Sequence, residues 1–159
     1  MARLQFPDGE IVGMLDWPGA DDRLSPILAT GVIDVPDGEP LSLEVWHVVS
    51  VDPTDACSTP LAVVGQPSDL SPHWLARGDG APVDLGFLCD LPADVVVSLS
   101  LQWVVEESFQ AVTHLAASLR QLTLGNSGLS DAVLSDVARL ENLVYLQTWG
   151  NRFSDEGVQ

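Results

Sequence analysis

Two stretches of the chain superimpose with a shift of 24 residues, and no other feature restricts the fold as tightly. In "LRQLTLGNSGLSDAVLSDVARL" from residue 119 and "LVYLQTWGNRFSDEGV" from residue 143, Leu119 falls on Leu143, Leu122 on Leu146, Leu124 on Thr148, Ser127 on Asn151 and Leu129 on Phe153. Ser130 and Asp131 fall likewise on Ser154 and Asp155. Val96, Leu99, Leu101 and Val104 fit as a degenerate earlier copy, beginning 23 residues before Leu119. A repeat of this length describes one supersecondary unit that buries its apolar side only against its neighbours.

Each unit reads as a strand followed by a helix. "VVVSLSLQW" from residue 95 alternates with period two, and in "EESFQAVTHLAA" and its flank Val105, Phe109, Val112 and Ala116 recur at α-helical spacing. Ser130 and Ser154, each followed by Asp, suit helix N-caps, with the acid favoured by the helix dipole. On these residues the segment from about 88 to 159 resembles the leucine-rich repeat family, whose unit reads L-x-x-L-x-L-x-x-N-x-L with a period of about 20 to 29 residues. It departs from that pattern at Ser127, which replaces Asn with Asn126 one place early, at Val104 in the first unit and at Thr148 in place of a leucine. The resemblance implies stacked units with a parallel sheet on one side and helices on the other, and Leu122 and Leu146 buried one above the other. The alternative is an ordinary α/β domain with a fortuitous leucine pattern. The third unit reaches "NRFSDEGVQ" where a returning helix is due. Further units are expected to follow, the alternative being a surface of another molecule that covers an open end.

Residues 1–85 carry a different pattern. "FPDGE" at residue 6 and "VPDGEP" at residue 35 are near copies, and Trp17 and Trp46, like Glu10 and Glu39, keep the same offset of 29 residues. Leu4, Phe6, Val12 and Met14 flank the first copy, and Ile33, Val35, Leu41, Leu43 and Val45 the second, with polar residues alternating between them. Period two around x-Pro-Asp-Gly-x predicts a β-hairpin at each: Pro presets φ, Asp caps the turn and Gly accepts a positive φ. Neither turn supplies the alternate oxygens of a calcium loop, so the repeated carboxylates read as turn chemistry. Residues 52–82, rich in Pro, Gly, Ser and Asp, read as a connector. The expected architecture is therefore α/β: a β-rich N-terminal hairpin domain over 1–85, capping a short leucine-rich repeat solenoid over 86–159 with about two and a half to three units, parallel strands and convex-side helices.

Charge limits the partners. The chain carries a net charge of −17, with six Arg and no Lys as its basic residues. Residues 1–94 hold 16 acids against 3 Arg, net −13, and residues 95–159 hold 7 against 3, net −4. Phosphate backbones and anionic lipid repel such a chain, which argues against nucleic acid and membrane surfaces. "MARLQFPDGEIVGMLDW" lacks the apolar core of a secretory signal, so cytoplasmic residence is the expectation.

No nucleophile elbow, phosphate loop, H-E-x-x-H or dinucleotide fingerprint is present, and His47, His73 and His114 have no ligand spacing. His47 shares a strand face with Leu41, Leu43 and Val45 and reads as a core residue; His73 beside Trp74 reads as a packed surface pair. Cys57 and Cys89 match no redox or metal motif and read as small buried hydrophobes. The "RGD" triplet at 77–79 reads as a turn. The expectation is a protein without catalysis, metal or cofactor.

The resemblance implies a binding surface for another protein, on the concave positions between the leucines. Carried onto this chain these are Ser98, Ser100, Gln102 and Trp103, then Gln121, Thr123, Gly125 and Asn126, then Tyr145, Gln147, Trp149 and Gly150. Trp103, Gln121, Thr123, Tyr145, Gln147 and Trp149 are the expected contact residues, since aromatics beside small polar groups make hot spots. Gly125 beside Trp149 should leave a shallow depression, with Trp103 near the opposite margin. In the rival reading, the acidic first part neutralises a basic partner such as a nuclease or toxin, in the manner of an immunity protein, and the repeats stiffen it. A third reading, an enzyme, requires a pocket around His47 or His73.

Overall fold

Alternation of apolar and polar residues sets the strands of this chain, and their partners define a mixed α/β fold. The computed structural model describes residues 1–8, 11–18, 27–50, 75–77 and 82–158. The expectations for Cys57, His73, Trp74 and most of the RGD triplet, and for the side chain of His47, lie outside the described residues. Nine strands are described: β1 (Ala2–Gln5), β2 (Ile11–Asp16), β3 (Ile27–Leu28), β4 (Val32–Val35), β5 (Leu41–Ser50), β6 (Leu75–Arg77), β7 (Val96–Gln102), β8 (Gln121–Gly125) and β9 (Tyr145–Trp149). Between the last strands run 3₁₀ helices at Leu85–Asp90, Glu106–Leu115 and Asp131–Val133, the last continuing into α1 (Leu134–Val137); α2 (Asp155–Val158) follows β9.

The main sheet has the order β3-β2-β5-β7-β8-β9, with β6 also paired to β5. Strands β2, β3 and β6 join antiparallel, whereas β5, β7, β8 and β9 run parallel. One lateral row holds Leu43, Leu99, Leu122 and Leu146, and the next Val45, Leu101, Leu124 and Thr148. The sheet thus continues from β5 into the repeat strands without a break at residue 85.

The two Pro-Asp-Gly-Glu turns do not close hairpins. β1 pairs antiparallel with β4, Leu4 opposite Ile33, while β2 pairs antiparallel with β5, Leu15 opposite Leu43. The chain therefore passes at each copy from the β1-β4 ribbon to the main sheet, and the strands that flank one copy pair with those that flank the other. Turn chemistry fixes only the local bend; burial of Leu4, Phe6, Leu15, Leu41 and Leu43 in one core selects the partners.

That core lies between the leucine rows and the layer of ribbon and helices. Phe6, just after β1, packs on Phe87 of the Leu85–Asp90 helix with ring centroids 5.9 Å apart. In Glu106–Leu115 the buried residues are Phe109, Val112 and Leu115, every third position. This departs from the α-helical stripe through Val105 and Ala116, because a 3₁₀ helix has 3.0 residues per turn. The same period places Leu85 and Leu88 inside and turns Cys89 outward, so Cys89 is exposed and not a core residue.

Leu122 is fully buried, but Leu146, beside it in register, is 43 % exposed. β9 is the edge strand, so its inward side chains have a neighbouring strand on one flank only. Among the described residues no helix is long and apolar enough to cross a membrane.

Candidate binding surface

Because side chains alternate across a strand, the residues between the buried leucines share the opposite face of the sheet. Register sets them in rows: Ser42, Ser98, Gln121 and Tyr145; Glu44, Ser100, Thr123 and Gln147; then Gln102, Gly125 and Trp149. The interior of this face is made of hydroxyls and amides, with the Glu44 carboxylate among them on β5. Its margin on β9 is aromatic, with Tyr145 50 % and Trp149 36 % exposed, while Gln102 is almost wholly buried. The Tyr145 hydroxyl donates to Gln147 Oε1 at 3.1 Å, which fixes both side chains on the same face.

Gln121, Thr123, Tyr145, Gln147 and Trp149 are thus brought together. The depression expected at Gly125 is absent: a Cβ built there would lie 2.6 Å from the Cε2 and Cζ2 atoms of Trp149. The indole lies against Gly125 and occupies the space that the missing side chain leaves.

Trp103 is placed differently from the other five, beyond the end of β7 and in the left-handed region at φ 57°. Asn126 after β8 and Gly150 after β9 occupy the equivalent positions, with φ of 46° and 65°. Each strand therefore ends in the same left-handed bend. Asn and Gly enter this region readily, but a bulky residue there strains the backbone by about 1–3 kcal/mol. Trp103, Asn126, Ser127, Gly128 and Gly150 line a cavity of about 400 Å³ at the carboxyl ends of β7, β8 and β9. Single-unit spacing gives no warning of this cavity, since three units contribute to it.

Side chains after these bends tie unit to unit. Asn151 donates to Leu124 O at 2.9 Å and accepts from Leu129 N–H at 3.2 Å. Ser127, its counterpart one unit earlier, accepts from Val104 N–H at 3.3 Å and donates to Gly125 O at 3.0 Å. The shorter hydroxyl thus does part of the work of the amide. Ser130 and Ser154 cap as expected, accepting from Ala132 N–H at 3.4 Å and Gly157 N–H at 3.1 Å.

A second concavity, about 660 Å³, lies on the helical side, with Asp84, Cys89, Glu107 and His114 among its lining residues. His114 Nε2 lies 2.7 Å from Leu91 O, so the imidazole ties the Glu106–Leu115 helix to the end of the Leu85–Asp90 helix. Among the described residues no group of three or more His, Cys, Asp or Glu side chains is arranged to hold a metal ion.

Compared with protein-family models, with curated proteins and with solved structures, the chain has no match.

Proposed function

We propose that this chain is a non-enzymatic protein-binding module of the leucine-rich repeat type, in which β7, β8 and β9 are successive units of a short solenoid and the polar sheet face receives the partner. The observation that carries this reading is the lateral register of Gln121 with Tyr145 and Thr123 with Gln147, which sets uncharged polar groups beside two exposed aromatics. Tyr and Trp supply large contact area at low entropic cost, and the polar groups between them adapt their hydrogen bonds. The test is the double variant Tyr145→Ala with Trp149→Ala. It keeps the circular dichroism and melting temperature of the parent but weakens a partner recovered by pull-down, by about 2 kcal/mol or more. Retention of the partner at unchanged affinity rejects the proposal.

A second reading, an inhibitor of a basic protein acting through its acidic surface, is favoured by the exposure of Asp16, Asp84, Asp90 and Asp94. Salt separates the two. Binding through the aromatic margin changes little between low and moderate ionic strength, whereas binding through acids weakens steeply.

A further inference from the structure

We propose that the outer side of β9 docks a parallel strand of a partner polypeptide, one that carries an apolar residue and, eight positions later, a serine or threonine whose hydroxyl Asp155 receives. The proposal rests on the reading of β7, β8 and β9 as successive units and is independent of what the polar face binds.

Two seams inside the chain show what such a contact requires. At the first, Arg120 N–H donates to Val97 O at 2.9 Å, Leu122 lies in register with Leu99, and Glu106 accepts from the N–H and hydroxyl of Ser130. At the second, Val144 N–H donates to Arg120 O at 2.8 Å, Leu146 lies in register with Leu122, and Asp131 accepts from the N–H and hydroxyl of Ser154. Each incoming strand thus places a row leucine eight residues before the clamped serine, Leu122 before Ser130 and Leu146 before Ser154. The acceptors advance by the same step. Glu106, Asp131 and Asp155 are each the first residue of a helical segment. The first two hold a serine; Asp155 is exposed, and among the described residues nothing donates to its carboxylate. The outer side of β9 therefore continues the two seams, and the donor that fits it is the one they already bind.

The backbone is in phase for this. Tyr145 N–H donates to Arg120 O at 3.1 Å and Trp149 O accepts from Asn126 N–H at 3.0 Å, so alternate residues of β9 face β8. Leu146 and Thr148 consequently turn their N–H and C=O groups to the open edge. Edge strands are ordinarily blunted by a charge, a proline or a bulge. Tyr145–Trp149 has none of these. Val144, Tyr145, Leu146 and Trp149 are four of the six exposed large apolar residues among the described residues, a concentration that marks a contact surface. From Leu143 to Ser154 the only charged side chain is Arg152, so in a chain of −17 this edge repels no partner strand.

The probe is the chain's own second unit, an acetylated and amidated peptide of residues 119–140, which carries Leu122 and Ser130 at the required spacing. Titrated into the full chain, it shifts the amide resonances of Leu146 and Thr148 saturably. The Ser130→Ala peptide binds about tenfold more weakly, because it lacks the hydroxyl that donates to a carboxylate. Asp155→Ala in the chain causes the same loss, and the two changes together cost no more than either alone. Thr148→Pro removes an outward N–H while leaving the bonds to β8, and it too weakens the peptide. No saturable shift at Leu146 and Thr148, equal affinity of the Ser130→Ala peptide, or unaltered binding by a folded Asp155→Ala chain overturns the proposal. Shifts confined to Gln121, Thr123 and Gln147 place the peptide on the polar face and overturn it as well. The Tyr145 and Trp149 variant tests that face separately, so failure of one reading is seen apart from failure of the other.

Discussion

The Asp131 carboxylate accepts from both the backbone N–H and the hydroxyl of Ser154, the former at 2.8 Å. Glu106 grips Ser130 in the same way one unit earlier, at 2.5 Å to the N–H and 2.9 Å to the hydroxyl. Each carboxylate thereby anchors the head of the next unit's helical segment. The Ser154 hydroxyl first, and its N–H second, hold Asp131 below the ordinary carboxylate range; for Glu106 the Ser130 N–H leads and the hydroxyl follows. A carboxyl with a depressed folded pKa contributes stability that is fully present above its unfolded pKa and is lost as pH falls through the folded one. The contribution of this pair should therefore be constant above about pH 5 and fade below about pH 4. Urea midpoints measured across that range should drop less steeply for Glu106→Gln with Asp131→Asn than for the parent. Identical acid limbs would show that the clamps contribute nothing.

Gly38 sits at φ 80° in the second Pro-Asp-Gly-Glu turn, and a Cβ added there would meet nothing within 4 Å. The penalty for Gly38→Val is thus conformational and should be about 1 kcal/mol or more. Calcium or magnesium should leave the melting temperature unchanged. A metal-dependent rise would give these carboxylates a role beyond the turn.

Leu122 and Leu146 are neighbours in one row but differ in burial. Leu122→Ala should cost about 2–5 kcal/mol, because it opens a cavity in a closed core. Leu146→Ala should cost about 1 kcal/mol or less, because part of its area is already in water. Equal losses in denaturant titration would mean that β9 is covered in solution by another surface.

The parallel strands β7, β8 and β9 were legible because a lateral stack repeats its own pattern: Leu99, Leu122 and Leu146 share a row, and the 23- and 24-residue offsets set the register. The caps at Ser130 and Ser154 were legible for the same local reason. Pairing between distant strands was not. "FPDGE" and "VPDGEP" specify a bend, but the same bend serves a hairpin or a crossing between two sheets, and only the shared core chooses. The helical period was misread because Phe109, Val112 and Leu115 also sit at spacings common in α-helices, and the tighter winding carried no separate signal. Trp103 aligned with Asn126 and Gly150, two residues that favour the left-handed bend, and that alignment is the trace of the strand-end cavity in the sequence.

Gly125 and Trp149 give a prediction whose sign decides it. Glycine inside a strand is ordinarily unfavourable, and replacement by alanine at an unobstructed site stabilises by about 0.5–1 kcal/mol. Here the added methyl group would meet the indole of Trp149 at 2.6 Å, too close for any ordinary contact, and its nearest ring atoms belong to a rigid side chain. Gly125→Ala should therefore destabilise the protein and swing the indole away from the sheet, seen as a red-shifted tryptophan emission relative to the parent. Trp149→Ala removes the obstruction, so the two substitutions should not add: in the Trp149→Ala background, Gly125→Ala should become neutral or stabilising. A stabilising Gly125→Ala in the parent would place the indole elsewhere and restore an open depression at the centre of the proposed binding face.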